Sequence, residues 1–432
     1  MKKIVSVLVL LCVLVSAFAE INTTKRILEV DAGGDLGFAN SYFSLSDFLK
    51  EVVVIDFNDM AEKTSDGLML NFDSNVWTDF NLNFGKKFHL GFHANVDAAT
   101  RFVLSQDIID FIANGNELDK PINASLAGGA DIFATTGLTF GTMINKFKVR
   151  VGSNVFVPLV HIENARVECS AVANSDGTNE VKGKALVDFY LPTVVNSNGT
   201  FSSFDELFSD EYFNGLLELN SYAGFDLEAS VEYPLFNFLD LGVYVKNIPL
   251  VPAKLYSKAV IEKEFEMSTT SLLDGFEVTS SEESEDADES DESEATEIGT
   301  YEVFETPKEI ARKFEFGAVA AIRPFGEKLL AIRPRIGFAF DDPSQLTIES
   351  FKNTINNFGF SFGVNAELNF LYFFHLYADS AYDSAIWTQQ FGLGVDIHFV
   401  EVTMNFASQG TDFVGSFLGS GLKAKLGVKI GF

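Results

Sequence analysis

The sequence predicts an all-β fold: a transmembrane antiparallel β-barrel of about 14 strands (12–16), with an N-terminal plug, or hatch, in its lumen. Three observations predict it. The last twelve residues, Gly421 to Phe432, alternate without error: Leu422, Ala424, Leu426, Val428, Ile430 and Phe432 share one face, and Lys423, Lys425 and Lys429 the other. Only a strand has a period of two, and this one ends on an aromatic as the closing strand of an outer-membrane barrel does. The N-terminus reads as a secretory signal, and no later segment holds eighteen consecutive apolar residues, so spanning by helix is excluded. Yet 47% of the chain is hydrophobic, too much for a disordered exported protein. A barrel reconciles these facts, because polar lumen-facing residues alternate with the apolar ones that face lipid.

In chain order, residues 1–19 form the signal. Lys2 and Lys3 supply its charge, Ile4 to Val15 its apolar stretch, and Ala17-Phe18-Ala19 a cleavage site, so the mature chain begins at Glu20. Cys12 follows Leu11 rather than a small residue, which excludes a lipoprotein site. With it removed, Cys169 is the sole cysteine and supports neither a disulfide framework nor a thiolate metal centre.

Residues 20–67 do not read as barrel strand. Asp31-Ala32-Gly33-Gly34-Asp35 reads as a loop, and Ser46 to Lys50 and Ile55 to Glu62 as short helical turns, the first capped by Ser44 or Ser46. The segment is longer than a tether requires, which favours a plug inside the lumen over a periplasmic extension.

The barrel is expected over 68–432. Strands 80–84 and 88–98 flank the turn 85–87, and 132–144 and 149–157 flank 145–146. Over 223–233, Phe225, Leu227, Ala229 and Val231 face out while Asp226, Glu228, Ser230 and Glu232 face in; a wet lumen takes such charges where a dry sheet would not. Segments 148–173 and 239–264 read as long strands kinked at Pro158, Pro249 and Pro252. Further strands fall at 314–322, 330–340, 358–370, 373–380, 391–399, 400–407 and 421–432.

Traced back from Phe432, 264–311, 341–357 and 408–420 lie outside and the turns 325–328 and 371–372 inside. Continued further, the trace puts the turns 86–87 and 145–146 outside. That conflict points to a missed or doubled strand, placed within 160–221. Segment 277–300, with ten carboxylates and no base between Glu282 and Glu297, reads as a disordered acidic extracellular loop; its spacing matches no calcium loop.

No catalytic constellation is found, so the chain is read as a non-enzyme without cofactor or metal. Gly415-Ser416-Phe417-Leu418-Gly419 has the wrong order for a nucleophile elbow, and His89 and His93 sit about 13 Å apart on a strand, facing the lumen rather than a zinc ion. His375 and His398 share the inward face with Tyr377, Asp379 and Asp396. The formal charge of −30 excludes nucleic acid as a partner. The inward charges Asp226, Glu228, Asp396, Lys423 and Lys425 are candidates for holding a plug or setting selectivity.

Ala39-Asn40-Ser41-Tyr42-Phe43-Ser44-Leu45 and Val245-Lys246-Asn247-Ile248-Pro249-Leu250-Val251-Pro252-Ala253, together with this layout, resemble the FadL-like outer-membrane long-chain fatty-acid transporters of spirochaetal type. The resemblance covers most of the mature chain in layout and only those segments in sequence. It implies an N-terminal hatch at about 27–67, an apolar pocket with Phe43, Leu45, Phe48 and Leu49 as ligand-binding or plug-packing residues, and lateral release through the wall. The expectation is a monomeric barrel of the cell outer membrane that takes up a hydrophobic small molecule, a fatty acid first. Its expected partners are outer-membrane lipid and, through the C-terminal strand, the barrel-assembly machinery. The rival readings are a general diffusion porin and a surface-exposed structural or adhesive barrel.

Overall fold

Backbone pairing within one sheet decides the architecture. The computed structural model describes residues 26–432 apart from 44–55, 193–198, 204–211, 215–221, 270–276, 280–298, 341–357 and some single or paired positions elsewhere. In chain order the strands are β1 (Leu28–Asn40), β2 (Leu68–Phe84), β3 (Phe88–Leu104), β4 (Ile122–Ile144), β5 (Phe147–Ala173), β6 (Asn179–Leu191), β7 (Thr200–Phe201), β8 (Gly224–Phe236), β9 (Leu239–Val251) and β10 (Ala253–Thr269). They continue as β11 (Glu277–Thr279), β12 (Gly299–Ile310), β13 (Phe314–Ile322), β14 (Leu330–Phe340), β15 (Phe358–Phe370), β16 (Phe374–Asp383), β17 (Ile386–Ile397), β18 (Val400–Gly410) and β19 (Gly421–Gly431). Among the described residues the helices are α1 (Phe57–Lys63), α2 (Gln106–Asn114) and α3 (Gly415–Leu418).

Followed from partner to partner, β1-β2-β3-β4-β5-β8-β9-β13-β14-β15-β16-β17-β18-β19 returns to β1, every ladder antiparallel. The sheet is therefore a closed barrel of fourteen strands, and a closed ring leaves no edge for lipid to strand. The seam lies at the chain ends, where Ile27 N–H donates to Phe432 O at 2.6 Å and Phe432 N–H to Leu28 O at 2.9 Å.

This seam corrects the reading of 20–67 as a hatch. Leu28–Asn40 is a wall strand, in register with β19 from Glu29–Gly431 to Ala39–Gly421 and with β2 along its whole length. The Asp31–Asp35 stretch read as a loop is strand: Asp31 and Asp35 alternate inward with Gly33 while Leu36 and Phe38 stand exposed outside. Of the expected helical turns, Ile55 to Glu62 corresponds to α1, where the Asp56 side chain accepts from the Asn58 and Asp59 N–H groups; Ser46 to Lys50 lies outside the described residues.

The ring also removes the conflict in the strand trace. The connections at 85–87, 145–146, 237–238, 323–329, 371–373 and 398–399 all fall at the end that holds Arg26 and Phe432, and the long connections at the other. The trace from the sequence puts the turns 86–87 and 145–146 outside because it counts a wall strand within 160–221, and among the described residues of that stretch none adds a strand to the ring. There β5 changes partner, pairing with β8 from Lys148 to Phe156 and with β6 from His161 to Ala173. Beyond that point β6 pairs with β10 and β10 with β12, forming a blade above the ring to which β7 and β11 add short ladders. The predicted single strand 239–264 accordingly breaks at Pro252 into a wall strand and a blade strand. Of the acidic segment 277–300, the ends are strand and residues 280–298 lie outside the described residues.

The outer face carries the apolar belt. Phe80, Phe92, Leu138, Phe391, Leu393, Phe406 and Leu426 are all substantially exposed, an arrangement suited to lipid rather than water. Aromatic girdles edge it. At the turn end stand Phe84, Phe88, Phe399 and Phe432, with Phe236 stacked on Phe238. At the loop end Trp387 packs edge-on against Phe362 and Phe413. Among the described residues no helix is long and apolar enough to cross a membrane.

Deleting residues 27–40 from the mature chain is expected to abolish barrel closure, read as loss of heat-modifiable migration on gels. A segment lying as a plug within a finished ring would leave that migration intact.

Candidate functional site: the charged lumen and its mouth

Strand alternation fixes what lines the lumen. All five charged residues expected there, Asp226, Glu228, Asp396, Lys423 and Lys425, share the inward register. Asp226, Asp396 and Lys423 enter a set of ion pairs running around the wall. Arg335 grips Asp379 with two bonds of 2.8 and 2.9 Å, Arg333 meets Glu367 at 2.8 Å, and Arg26 meets Asp396 at 2.8 Å. Lys148 lies between Glu232 and Asp240, and Arg323 closes on Asp240 at 2.8 Å. The partners sit one or two strands apart, and three for Arg26 and Asp396, so the pairs staple nearby strands across the inner surface.

Trp77 belongs to the same surface. Its indole lies flat across β1, where Gly33 and Gly427 leave room: a Cβ at Gly33 would stand 2.6 Å from the ring and 2.3 Å from Leu426 O. Its N–H donates to Asp31 at 3.3 Å, and the Lys425 ammonium stands 4.4 Å over the ring. His89 and His93 face the lumen in register with Asn83 and Asp79.

The mouth at the loop end is occupied. Phe133 and Phe156 point inward from β4 and β5, and Ala253 and Ile310, the bases of the two central blade strands, pack onto them. Arg312, in the connection from β12 to β13, reaches across five strands of the ring. It donates to both carboxylate oxygens of Asp226 at 2.8 Å and to Thr135 Oγ1 at 3.2 Å, and lies over the Phe156 ring at 5.3 Å. Asn154 Nδ2 adds a third bond to Asp226 at 2.8 Å. Asp226 is 1% exposed, so its charge is held by this one guanidinium and one amide. Higher in the blade, Lys308 pairs with Glu163 and lies over Tyr190, while Tyr212, pushed above the usual phenol range by burial, donates to Leu159 O.

The resemblance-based ligand residues fall elsewhere. Phe43 packs with Tyr42, Met60, Leu68 and Ile109 in a rim cluster formed by α1 and α2 at the tops of β2 and β3. Leu68 and Leu70 share the outward register with Phe72, so this cluster lies on the outer side of the wall and not in the lumen. Leu45, Phe48 and Leu49 lie outside the described residues. Within the outer connection 408–420, Phe413 to Leu418 folds back with α3 on the outer rim, where Ser416 bonds Gln389 and Ser408.

Sequence reasoning missed Asp35, Asp73, Asp97, Trp77 and Arg312. The first and the wall around it were readable from the alternation Glu29, Asp31, Gly33, Asp35 against Val30, Ala32, Leu36, Phe38. Arg312 gave no such signal, because it lies between strands.

Asp226→Ala leaves the Arg312 guanidinium buried without its acid and is expected to destabilise the barrel by about 3–5 kcal/mol. The double variant Asp226→Leu/Arg312→Leu should recover most of that loss. Denaturant unfolding in detergent micelles measures both.

No protein-family model matches the chain, and no curated protein matches it. Solved structures similar to it include the Ralstonia pickettii toluene transporter TbuX, at 7% identity and a TM-score of 0.46 over 95% of this chain and 90% of that one. The P. putida toluene transporter TodX is similar at 8% identity and a TM-score of 0.43, covering 95% and 91%. The CymD monoaromatic hydrocarbon channel is similar at 7% identity and a TM-score of 0.37, covering 95% and 89%.

Proposed function

We propose that this chain is an outer-membrane transporter for hydrophobic small molecules, working as a monomer through a lumen stopped at its outer mouth. One observation carries the reading: Ala253 and Ile310 seated on Phe133 and Phe156, with Arg312 bonded across to Asp226. A general diffusion porin needs a continuous water path, and an apolar contact backed by a buried ion pair in the mouth opposes one.

The gating element in this reading is the base of the blade. The N-terminal segment gives one strand to the wall and one helix to the rim. A hydrophobic solute gains about 0.8 kcal/mol per methylene taken out of water, enough to concentrate a scarce compound at the apolar rim and mouth. Long-chain fatty acids are the cargo suggested by the sequence resemblance. Outer-membrane lipid surrounds the belt, and the terminal strand ending at Phe432 is the segment offered to the assembly machinery. An adhesive role for the segment 280–298 is the second reading to exclude: its deletion should leave uptake unchanged.

Two measurements test the proposal. In planar bilayers the wild-type barrel should carry little steady current, and Arg312→Ala should raise the open time or conductance severalfold. Cells lacking their own uptake barrel should accumulate radiolabelled oleate only when they express this chain. Large, stable wild-type channels would turn the assignment to a diffusion porin.

A further inference from the structure

Charge is divided unevenly between the two ends of the barrel. The turn-end connections, 85–87, 145–146, 237–238, 323–329, 371–373 and 398–399, hold Lys86, Lys87, Lys146, Arg323 and Lys328 against one acid, Glu327. The whole chain has a formal charge of −30, and the segment from Glu282 to Glu297 at the opposite end has ten carboxylates and no base. A basic rim on so acidic a chain is a local feature that composition does not explain.

Two of these lysines stand together. β3 pairs with β4, so the β2–β3 turn and the β4–β5 turn lie side by side. Met143 N–H donates to Lys87 O at 3.1 Å, which ties the first turn to the end of β4. Lys146 follows three residues later, roughly 10 Å at the rise of a strand, a gap that two lysine side chains bridge. Asn145 makes the tight reversal with a left-handed backbone, φ 58°, and leaves Lys146 at the tip. Both lysines are exposed, and among the described residues neither closes an ion pair. Arg323, by contrast, is engaged by Asp240 at 2.8 Å.

A second observation is the surface beneath them. Below the two turns the outward face is aromatic: Phe88 and Phe140 lie 6.4 Å apart between ring centroids, and Phe147 packs on Tyr233 at 4.9 Å. Phe84, Phe88, Phe140, Ile144 and Phe147 are all substantially exposed. These side chains continue the belt suited to lipid, so the lysines sit where acyl chains give way to head groups. Elsewhere on the turn-end rim the aromatics come without the charge: two of the connections read Leu371-Tyr372-Phe373 and His398-Phe399.

We propose that the rim over β2–β5 is a docking surface for an anionic phospholipid of the periplasm-facing leaflet. Its phosphate is held between Lys87 and Lys146, and its acyl chains lie on Phe88, Phe140 and Phe147. Ammonium groups match a phosphodiester in charge, and a zwitterionic head group weakens that attraction by bringing an ammonium of its own. The surface needs the closed barrel and does not depend on the transport reading.

The test places the wild-type barrel in nanodiscs of equal phosphatidylglycerol and phosphatidylethanolamine. The barrel is then extracted in mild detergent and its retained lipids are counted by native mass spectrometry. Phosphatidylglycerol should be retained over phosphatidylethanolamine by about fivefold or more, the factor that one lysine near an anionic surface contributes. The preference should fall toward unity in Lys87→Gln/Lys146→Gln, with heat-modifiable migration intact, and stay unchanged in the blade control Lys182→Gln/Lys184→Gln. Whether or not a variant folds, raising sodium chloride about tenfold must weaken the preference of the wild-type barrel, because exposed charge is screened. Equal retention of the two lipids by the wild type, or a preference that survives either the lysine changes or the salt, overturns the surface. Displacement of the lipid by millimolar inorganic phosphate would assign the lysines to a free anion and overturns it as well. Lipid retention is read on the isolated barrel, so this outcome is separate from that of the oleate uptake assay.

Discussion

Everything in this molecule depends on one hydrogen-bonded seam, the pairing of β1 with β19. A sheet in hydrocarbon cannot leave a row of unpaired N–H and C=O groups, because each unmet group costs several kcal/mol there. Residues 28–40 meet that constraint on both sides at once, with β19 on one flank and β2 on the other. Once the ring is closed, alternation along each strand divides the side chains without further instruction. Phenylalanines and leucines go to the belt, and aspartates, lysines and asparagines to the lumen.

Closure also explains why charge is spread so densely over the inner wall. Fourteen strands enclose a lumen too wide for apolar packing to fill. The wall is instead tied by long polar side chains lying flat against it, and inward glycines make that posture possible. Gly33 beneath Trp77 and Gly152 beneath Glu228 are two cases: a Cβ at either would collide with the side chain that crosses it. Arg335 on Asp379 and Arg333 on Glu367 do across strands what an apolar core does in a soluble protein.

Much of this was legible in the sequence, and the parts that were not share a physical cause. The run from Leu422 to Phe432 and the alternation at Asp226 and Glu228 announced their faces, because apolar outward residues marked the period. β1 escaped because Asp31-Ala32-Gly33-Gly34-Asp35 has the composition of a turn, which masks the alternation of the residues around it. Acids and glycines are what an inward wall position wants and also what a loop contains, so composition alone cannot separate them. The blade escaped for a different reason. β10 continues the pattern of β9 past Pro252, and nothing local says that the chain has left the wall. Nor did anything local mark Arg312, whose role comes from crossing the ring.

The mouth follows from where the fold departs from a plain ring. At Phe156 the wall strand β5 exchanges β8 for β6, and at Pro252 the chain passes from β9 into the blade. Both departures occur at the loop end and bring Phe133, Phe156, Ala253 and Ile310 together. A ring with uninterrupted ladders would have had no element free to fold over its own opening. The same departure explains why the stop is apolar with one buried ion pair: it is made of strand bases, whose side chains pack, and of a connection, whose Arg312 reaches.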